Sequence, residues 1–527
     1  MGRDLRIHPS IGIARVGNSP DGYFVGPERV GDFDRPKQGF RDEHGRLKRQ
    51  GARFRVFERF PDGSAREVSP GEAKITWHVT LANRKAAGPR FLSYPSFLKL
   101  KDKKGSAKAA MDGFPLRNKK IKKDRSSLVL GPASATLVPD AKEPQDIQHS
   151  GCFFGRTLKA PITLGRLQHD EDGRLLVLGG YGLAGSPVGE PLSLNPNDFA
   201  DQDGWYDDTS DGQVTATVQF AHAPEEPVQV EGAAWLVVAP PKFAPAFQTP
   251  VTLYDALLQR AVDKGLRKVP SDQPSFTRDI FPILRRASQV RWTFADGQRQ
   301  GSPNGFHSFQ MALVALPAQA KRFLLSKLSI PQERQGSPGI GPGTMPKNWS
   351  ENYPDGGGSL TRVQYTMLER WAAGDVVEDW KGTPWVESGD SADGLDRAAL
   401  EACVGAPLYP GIEVGWWLRE ELPFVDAFRL APGVQPGDVT ASMSVPWQSD
   451  FLQCSSEQPD GSFDELPWWP AQRPIDVWQC DMCDPLKWAR SFYQPGEMTL
   501  KEMIAEWHRL GFVLEDKQGV FLETLRV

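Results

Sequence analysis

Ile75–Leu81 reads ITWHVTL, and the same texture returns at Arg174–Leu178 (RLLVL) and Val214–Phe220 (VTATVQF). Short β-branched and aromatic runs bounded by clusters of Gly, Asp, Asn and Pro are the pattern of strands joined by tight turns. It extends from Ile7 to about Pro245 and predicts sheets packed as a sandwich. With 51 Gly and 45 Pro in 527 residues, turns between short strands are favoured over long helices. Sixteen Trp and 28 Phe supply the apolar area that a disordered chain lacks.

From about Pro250 the period lengthens. Leu253, Ala256, Leu257 and Ala261 recur at helical spacing, as do Leu360, Val363, Met367 and Trp371, with Ser359 or Thr361 to start that helix and Gly374 to end it. Thr499–Gly511 (TLKEMIAEWHRLG) reads as an amphipathic helix with Met503, Ile504, Trp507 and Leu510 on one face. Glu333–Gly358 is loop-rich. The expected fold class is α+β, with a β-rich domain over 1–249 and a mixed α/β domain over 250–527 that carries the chemistry.

A net charge of −4 gives no global field to attract nucleic acid or anionic lipid. The basic stretch near 99–125 holds eleven Lys or Arg against three Asp, and Phe114 is the one aromatic among those charges, so a solvated loop or arm is expected rather than a strand-binding groove. Apolar runs such as Gly232–Pro241 fall far short of the ~18 residues a membrane helix needs. Arg3, Asp4, Arg6, His8 and Pro9 stand where a secretory signal would place its apolar core. The expectation is a cytoplasmic protein, or one released without a standard signal peptide.

The usual catalytic signatures are missing: there is no P-loop, no GxSxG elbow, no HExxH and no placed GxGxxG. The eight His form no short cluster, so no metal centre is expected. Five Cys is an odd number, which argues against a disulfide framework. Cys480 and Cys483 form a single CxxC without partners for zinc, and are expected to be buried or incidental thiols.

The most informative stretch is Val445–Pro474, VPWQSDFLQCSSEQPDGSFDELPWWPAQRP. Pro446 suits a first helical turn, and in the helix that follows Asp450 and Cys454 stand at i and i+4, their β-carbons about 6 Å apart. A short polar loop then returns to Trp468 and Trp469, whose flanking prolines restrict the backbone, so an indole can come back against the thiol. Each piece also has a plain reading: core aromatics, a small buried hydrophobe and a surface carboxylate.

Seven motifs in order extend the reading to almost the full chain: IHPSIGIARVGNSPDGYFVGPE (Ile7–Glu28), ITWHVTLANRKAA (Ile75–Ala87), GRLLVLGGYG (Gly173–Gly182), DGWYDDTSDG (Asp203–Gly212), ACVGAPLYPGIE (Ala402–Glu413), VPWQSDFLQC and WWPAQRP. Through them the chain resembles the cysteine tryptophylquinone amine and amino-acid oxidases, a family that includes L-lysine 6-oxidase and a glycine oxidase. The resemblance implies a cofactor made from the protein itself, a cysteine sulfur bonded to an indole oxidised to an ortho-quinone.

Residue by residue, Cys454 matches the cross-linked cysteine, Asp450 the acid four positions earlier, and Trp469 the quinone precursor, with Trp468 the alternative. Cys403 matches a second cysteine of the active-site region, or serves structure alone. The implied reaction is oxidative deamination of a primary amine by dioxygen, with Asp450 as base once burial by Trp447, Phe451 and the indoles raises its pKa. A flavoprotein maturation partner and a homo-oligomer are implied too. Only fourteen residues separate Cys454 from Trp469, fewer than in relatives, which leaves the substrate open. His508 and Tyr493 are further pocket candidates. The rivals are a quinone-dependent dehydrogenase, and a non-catalytic binding or structural member with Cys454 and Trp469 unmodified.

Overall fold

The structure, a computed structural model, describes residues 3–32, 36, 39–91, 103–104, 113–187, 200–270, 272–289, 292–293, 316–326, 331, 360–387, 389–406, 413–415, 418, 423–453, 473–493, 496–524 and 526–527. The 333–358 loop, Ser359, Cys454, Trp468 and Trp469 lie outside the described residues.

The principal strands are β1 (Asp4–His8), β2 (Ile11–Arg15), β3 (Arg49–Arg59), β4 (Ala73–Asn83), β5 (Leu130–Leu137), β6 (Gln145–His149), β7 (Ile162–His169), β8 (Leu175–Gly179), β9 (Ser210–Phe220) and β10 (Ala234–Ala239). They belong to one 13-stranded sheet in the order β5-β4-β9-β10-β2-β3-β8-β7-β6, with β1 also on β3. The β10–β2 pair is parallel, Trp235 facing Ile11 and Ala239 facing Arg15. The sandwich-like packing arises from this single sheet curling until β5 and β6, at its two ends, lie against each other.

Along β4 the side chains of Trp77, Val79 and Leu81 are buried while Lys74 and His78 face solvent, the period-two pattern of a strand covered on one face. Strands β2, β8 and β10 are buried at every position, so the middle of the sheet is covered on both faces. The second cover is helical. Helices α1 (Leu253–Asp263) and α2 (Phe281–Gln289) are followed by α3 (Ala318–Leu325), α4 (Arg362–Ala373), α5 (Ala392–Glu401), α6 (Gln448–Gln453) and α7 (Leu500–Glu506). Leu253 and Leu257 of α1 and Leu400 of α5 pack with Ile11, Ile13, Trp235 and Val237 of the sheet.

Local chemistry sets the helix ends. Thr252, Thr361 and Thr499 each cap a helix with the side-chain oxygen and donate their own backbone N–H to the side chain three positions on, while Gly374 ends α4 at φ 87°. The basic stretch corrects one expectation: Arg117 is no solvated charge but is buried, bonded to Asp201 and to the carbonyls of Lys85 and Ala441. Its motif neighbours Lys119, Lys120, Lys122 and Lys123 are exposed. A guanidinium with enough acceptors tolerates burial, whereas a lone lysine favours water. Among the described residues no helix is long and apolar enough to cross a membrane.

Candidate active site

Helix α6 is short and held from outside itself. The backbone N–H of Trp447, just before it, donates to Asp207 Oδ2 at 3.0 Å. Asp207 in turn accepts from Lys85 Nζ at 2.8 Å and from Thr209 Oγ1 and Asn83 Nδ2 at 2.7 and 2.9 Å. Gln448 Nε2 donates to the carbonyl of Gly182 at 3.0 Å. Motifs far apart in the chain thus converge on one helix. Burial pulls the Lys85 pKa down against the attraction of Asp207, and pushes that of Asp208, next to Asp207, up to about 7.

One side of α6 is aromatic. Trp447 meets Phe451 at 5.1 Å and Trp507 at 5.0 Å between ring centres, and Phe451 lies 5.7 Å from Trp488 and 5.9 Å from Phe243. Edge-to-face geometry of this kind fixes ring orientation beyond simple burial. Asp450 projects elsewhere on the helix, its side chain 13% exposed. It pairs with Arg473, whose Nη1 lies 3.3 Å from Asp450 Oδ2 and also donates to the Asp450 carbonyl oxygen. This contact joins VPWQSDFLQC to WWPAQRP, and the sequence reading did not include it. Asp450 has a cation beside it as well as apolar neighbours.

Cys403 is fully buried, its Sγ 3.6 Å from the carbonyl of Ala399, and burial pushes its thiol pKa up. It packs with the Leu253, Leu257 and Leu400 group, whereas Trp447 and Phe451 belong to the core shared with the curled sheet. Tyr493 is 62% exposed, bonded to Glu506 and Arg509 at 3.1 Å each. His508 is half-buried and its pKa is lowered by that burial. Cys480 and Cys483 are neither buried nor free thiols: they form a disulfide in an exposed turn. Their spacing lets a tight turn bring both sulfurs to one side, which spacing alone could not distinguish from two free thiols. Cys152 and Cys403 are free.

Arg473, Asp207 and Lys85 each lie inside one of the seven sequence motifs, but nothing in the local spacing marks them as partners of α6.

The L-lysine epsilon oxidase N-terminal family matches residues 8–238, and the L-lysine epsilon oxidase C-terminal domain family matches residues 342–470. The L-lysine 6-oxidase of Marinomonas mediterranea is 30% identical over 541 aligned positions, covering 86% of this chain and 71% of that protein. The chain belongs to the L-lysine epsilon-oxidase family. Crystal structures of the L-Lys epsilon-oxidase from Marinomonas mediterranea share its fold. One, of the Schiff base intermediate with L-Lys, has a TM-score of 0.76 at 24% identity and covers 99% of this chain and 95% of that one. Another has a TM-score of 0.75 at 24% identity, with 99% and 94% covered. As a member of the L-lysine epsilon-oxidase family the chain is an oxidoreductase of the amino-acid oxidase class.

Proposed function

We propose that this chain oxidatively deaminates a primary amine of an amino acid or of a residue within a peptide, using a cysteine tryptophylquinone built from Cys454 and Trp469. Amine, dioxygen and water would give an aldehyde or oxo acid, ammonia and hydrogen peroxide. The observation that carries the reading is the Asp450–Arg473 contact. Cys454 follows directly on the helix of Asp450, and Trp469 precedes Arg473 by four residues, a reach of at most about 14 Å. The two ends of the intervening segment therefore start from one place, which fits a thiol and an indole that must meet.

The quinone would supply an electrophilic carbonyl for the amine and a sink for two electrons, with dioxygen as the terminal acceptor. The chain's own residues do the rest. Asp450 takes the proton from the substrate carbon next to the amine, and Arg473 holds that carboxylate in one orientation. Trp447 and Phe451 back the helix and keep water from its inner side. Asp207, through the Trp447 N–H, fixes where the helix begins. A flavoprotein would build the cross-link, and the working form would be a homo-oligomer.

The test is chemical. Protein co-expressed with a maturation flavoprotein should yield one tryptic peptide pair joining Cys454 to Trp469 with two added oxygens, and should release peroxide and ammonia in equal amounts from at least one amino acid. A linked Trp468 would move the quinone by one residue. Unmodified peptides from an active preparation would overturn the cofactor assignment.

A further inference from the structure

A cavity of about 330 Å³ opens where the parallel strands β2 and β10 end, and the chain turning out of β10 places Lys242 on its wall. Lys242 is 8% exposed, and its Nζ donates to the carbonyl of Ala402 at 3.1 Å. Among the described residues no carboxylate lies within ion-pair distance of it. The nearby Glu413 is occupied, its Oε1 taken by Arg15 at 2.7 Å and its Oε2 by the N–H of Val404 at 3.1 Å. The acids on the cavity wall are taken as well: Glu28 binds Arg53 and Arg55, Asp32 binds Arg29, and Asp390 binds Arg55.

Aromatic rings also line the cavity. Phe40 stacks on Phe512 at 4.7 Å between ring centres and meets Phe24 edge-on at 5.3 Å. A buried ammonium with no carboxylate at ion-pair distance is costly, and aromatic rings lining a cavity gain from contact with an apolar guest. One ligand class relieves both: an anionic head for the ammonium and a flat apolar body for the rings.

We propose that this cavity is a binding site for a small organic carboxylate, whose carboxyl group pairs with Lys242 and whose apolar body lies against Phe24, Phe40 and Phe512. The volume is near the lower end of small-molecule pockets, about 300–1,000 Å³, and suits a molecule of amino-acid size. Inorganic phosphate would satisfy the lysine and make no use of the rings. The proposal does not rest on the quinone chemistry, because binding is read without turnover.

The experiment is calorimetric titration of the full chain with phenylacetate, its neutral isostere phenylacetamide and inorganic phosphate. Phenylacetate is expected to bind at least about tenfold more tightly than either, a difference that K242M abolishes and K242R partly keeps. Equal binding of acid and amide, tighter binding of phosphate, no phenylacetate binding up to about 10 mM, or an undiminished preference in K242M would each overturn the proposal. Should K242M fail to fold, acylation footprinting of the unaltered chain decides. Phenylacetate must slow modification of Lys242 and phenylacetamide must not; equal rates would overturn the site.

Discussion

Two lysines separate what holds this protein together from what its interior leaves available. Lys85 and Lys242 are both almost wholly withdrawn from water, at 1% and 8% exposure. Lys85 meets both oxygens of Asp207, at 2.8 and 3.0 Å, and the carbonyl of Ser444 at 3.0 Å. Lys242 meets a single carbonyl. Equal burial therefore has opposite meanings. The first lysine completes a network that anchors the helix of Asp450, and its three donors are used. The second lines a cavity, and burial, with Arg15 beside it, pulls its pKa down to about 7 although Glu413 opposes the shift.

The sharpest way to break the comparison is to remove the paired lysine. K85M strands the Asp207 carboxylate, and the expected loss is about 3–5 kcal/mol of unfolding free energy, read by urea titration. K85M/D207L should recover only part of it, because it removes the unpaired carboxylate but leaves the Trp447 N–H, Asn83 Nδ2 and Thr209 Oγ1 without their acceptor. A loss below about 1 kcal/mol in the single variant would show that the pair contributes little. D450N leaves both lysines in place and tests chemistry alone. Peroxide production should fall about 10²- to 10⁴-fold with an unchanged far-ultraviolet spectrum, and full activity would remove Asp450 from the role of base.

K242M sharpens the other side, through pH. Between about pH 7 and the unfolded lysine value near 10.5, the unfolded chain carries a proton at residue 242 that the folded chain lacks. Stability from this group therefore rises with pH across that window and is lost as pH falls through about 7. Arg15, Glu413, Cys403 and Arg286 surround the site and act on the same equilibrium. K242M should flatten that rise by up to about 1.4 kcal/mol per pH unit in urea titrations from pH 7 to 10. Parallel pH curves for both proteins would show that Lys242 titrates normally. The smallest effect is expected from C480S. The Cys480–Cys483 loop is four residues, so chain entropy limits its contribution to about 2 kcal/mol. A larger loss of melting temperature than in K85M would give the exposed turn the anchoring role assigned to Asp207.

Much of the fold was legible because it is written locally. ITWHVTL became the middle of an 11-residue strand, and Thr361 and Gly374 bound their helix as a capping threonine and a left-handed glycine should. The helix carrying Asp450 was visible from Pro446 onward, although it is only six residues long. Reading motif by motif failed where function depends on pairing. Arg117 looked like one more charge in a basic run, and CxxC looked like two thiols. Arg473 was four letters beyond a tryptophan, with nothing to tie it to a carboxylate 23 positions earlier.

By itself, then, the order of residues determined strand texture, helix caps, the absence of common catalytic signatures and kinship with a family of amino-acid oxidases, since these depend on neighbours within a few positions or on long ordered motifs. Tertiary structure alone decided that Asp207 anchors Trp447 across 240 positions, and that Lys85 has a carboxylate where Lys242 has a cavity. The physical reason is that the energy of a buried charge depends on its distance to the opposite charge and to water, and both distances are set by chain closure rather than by spacing along the chain.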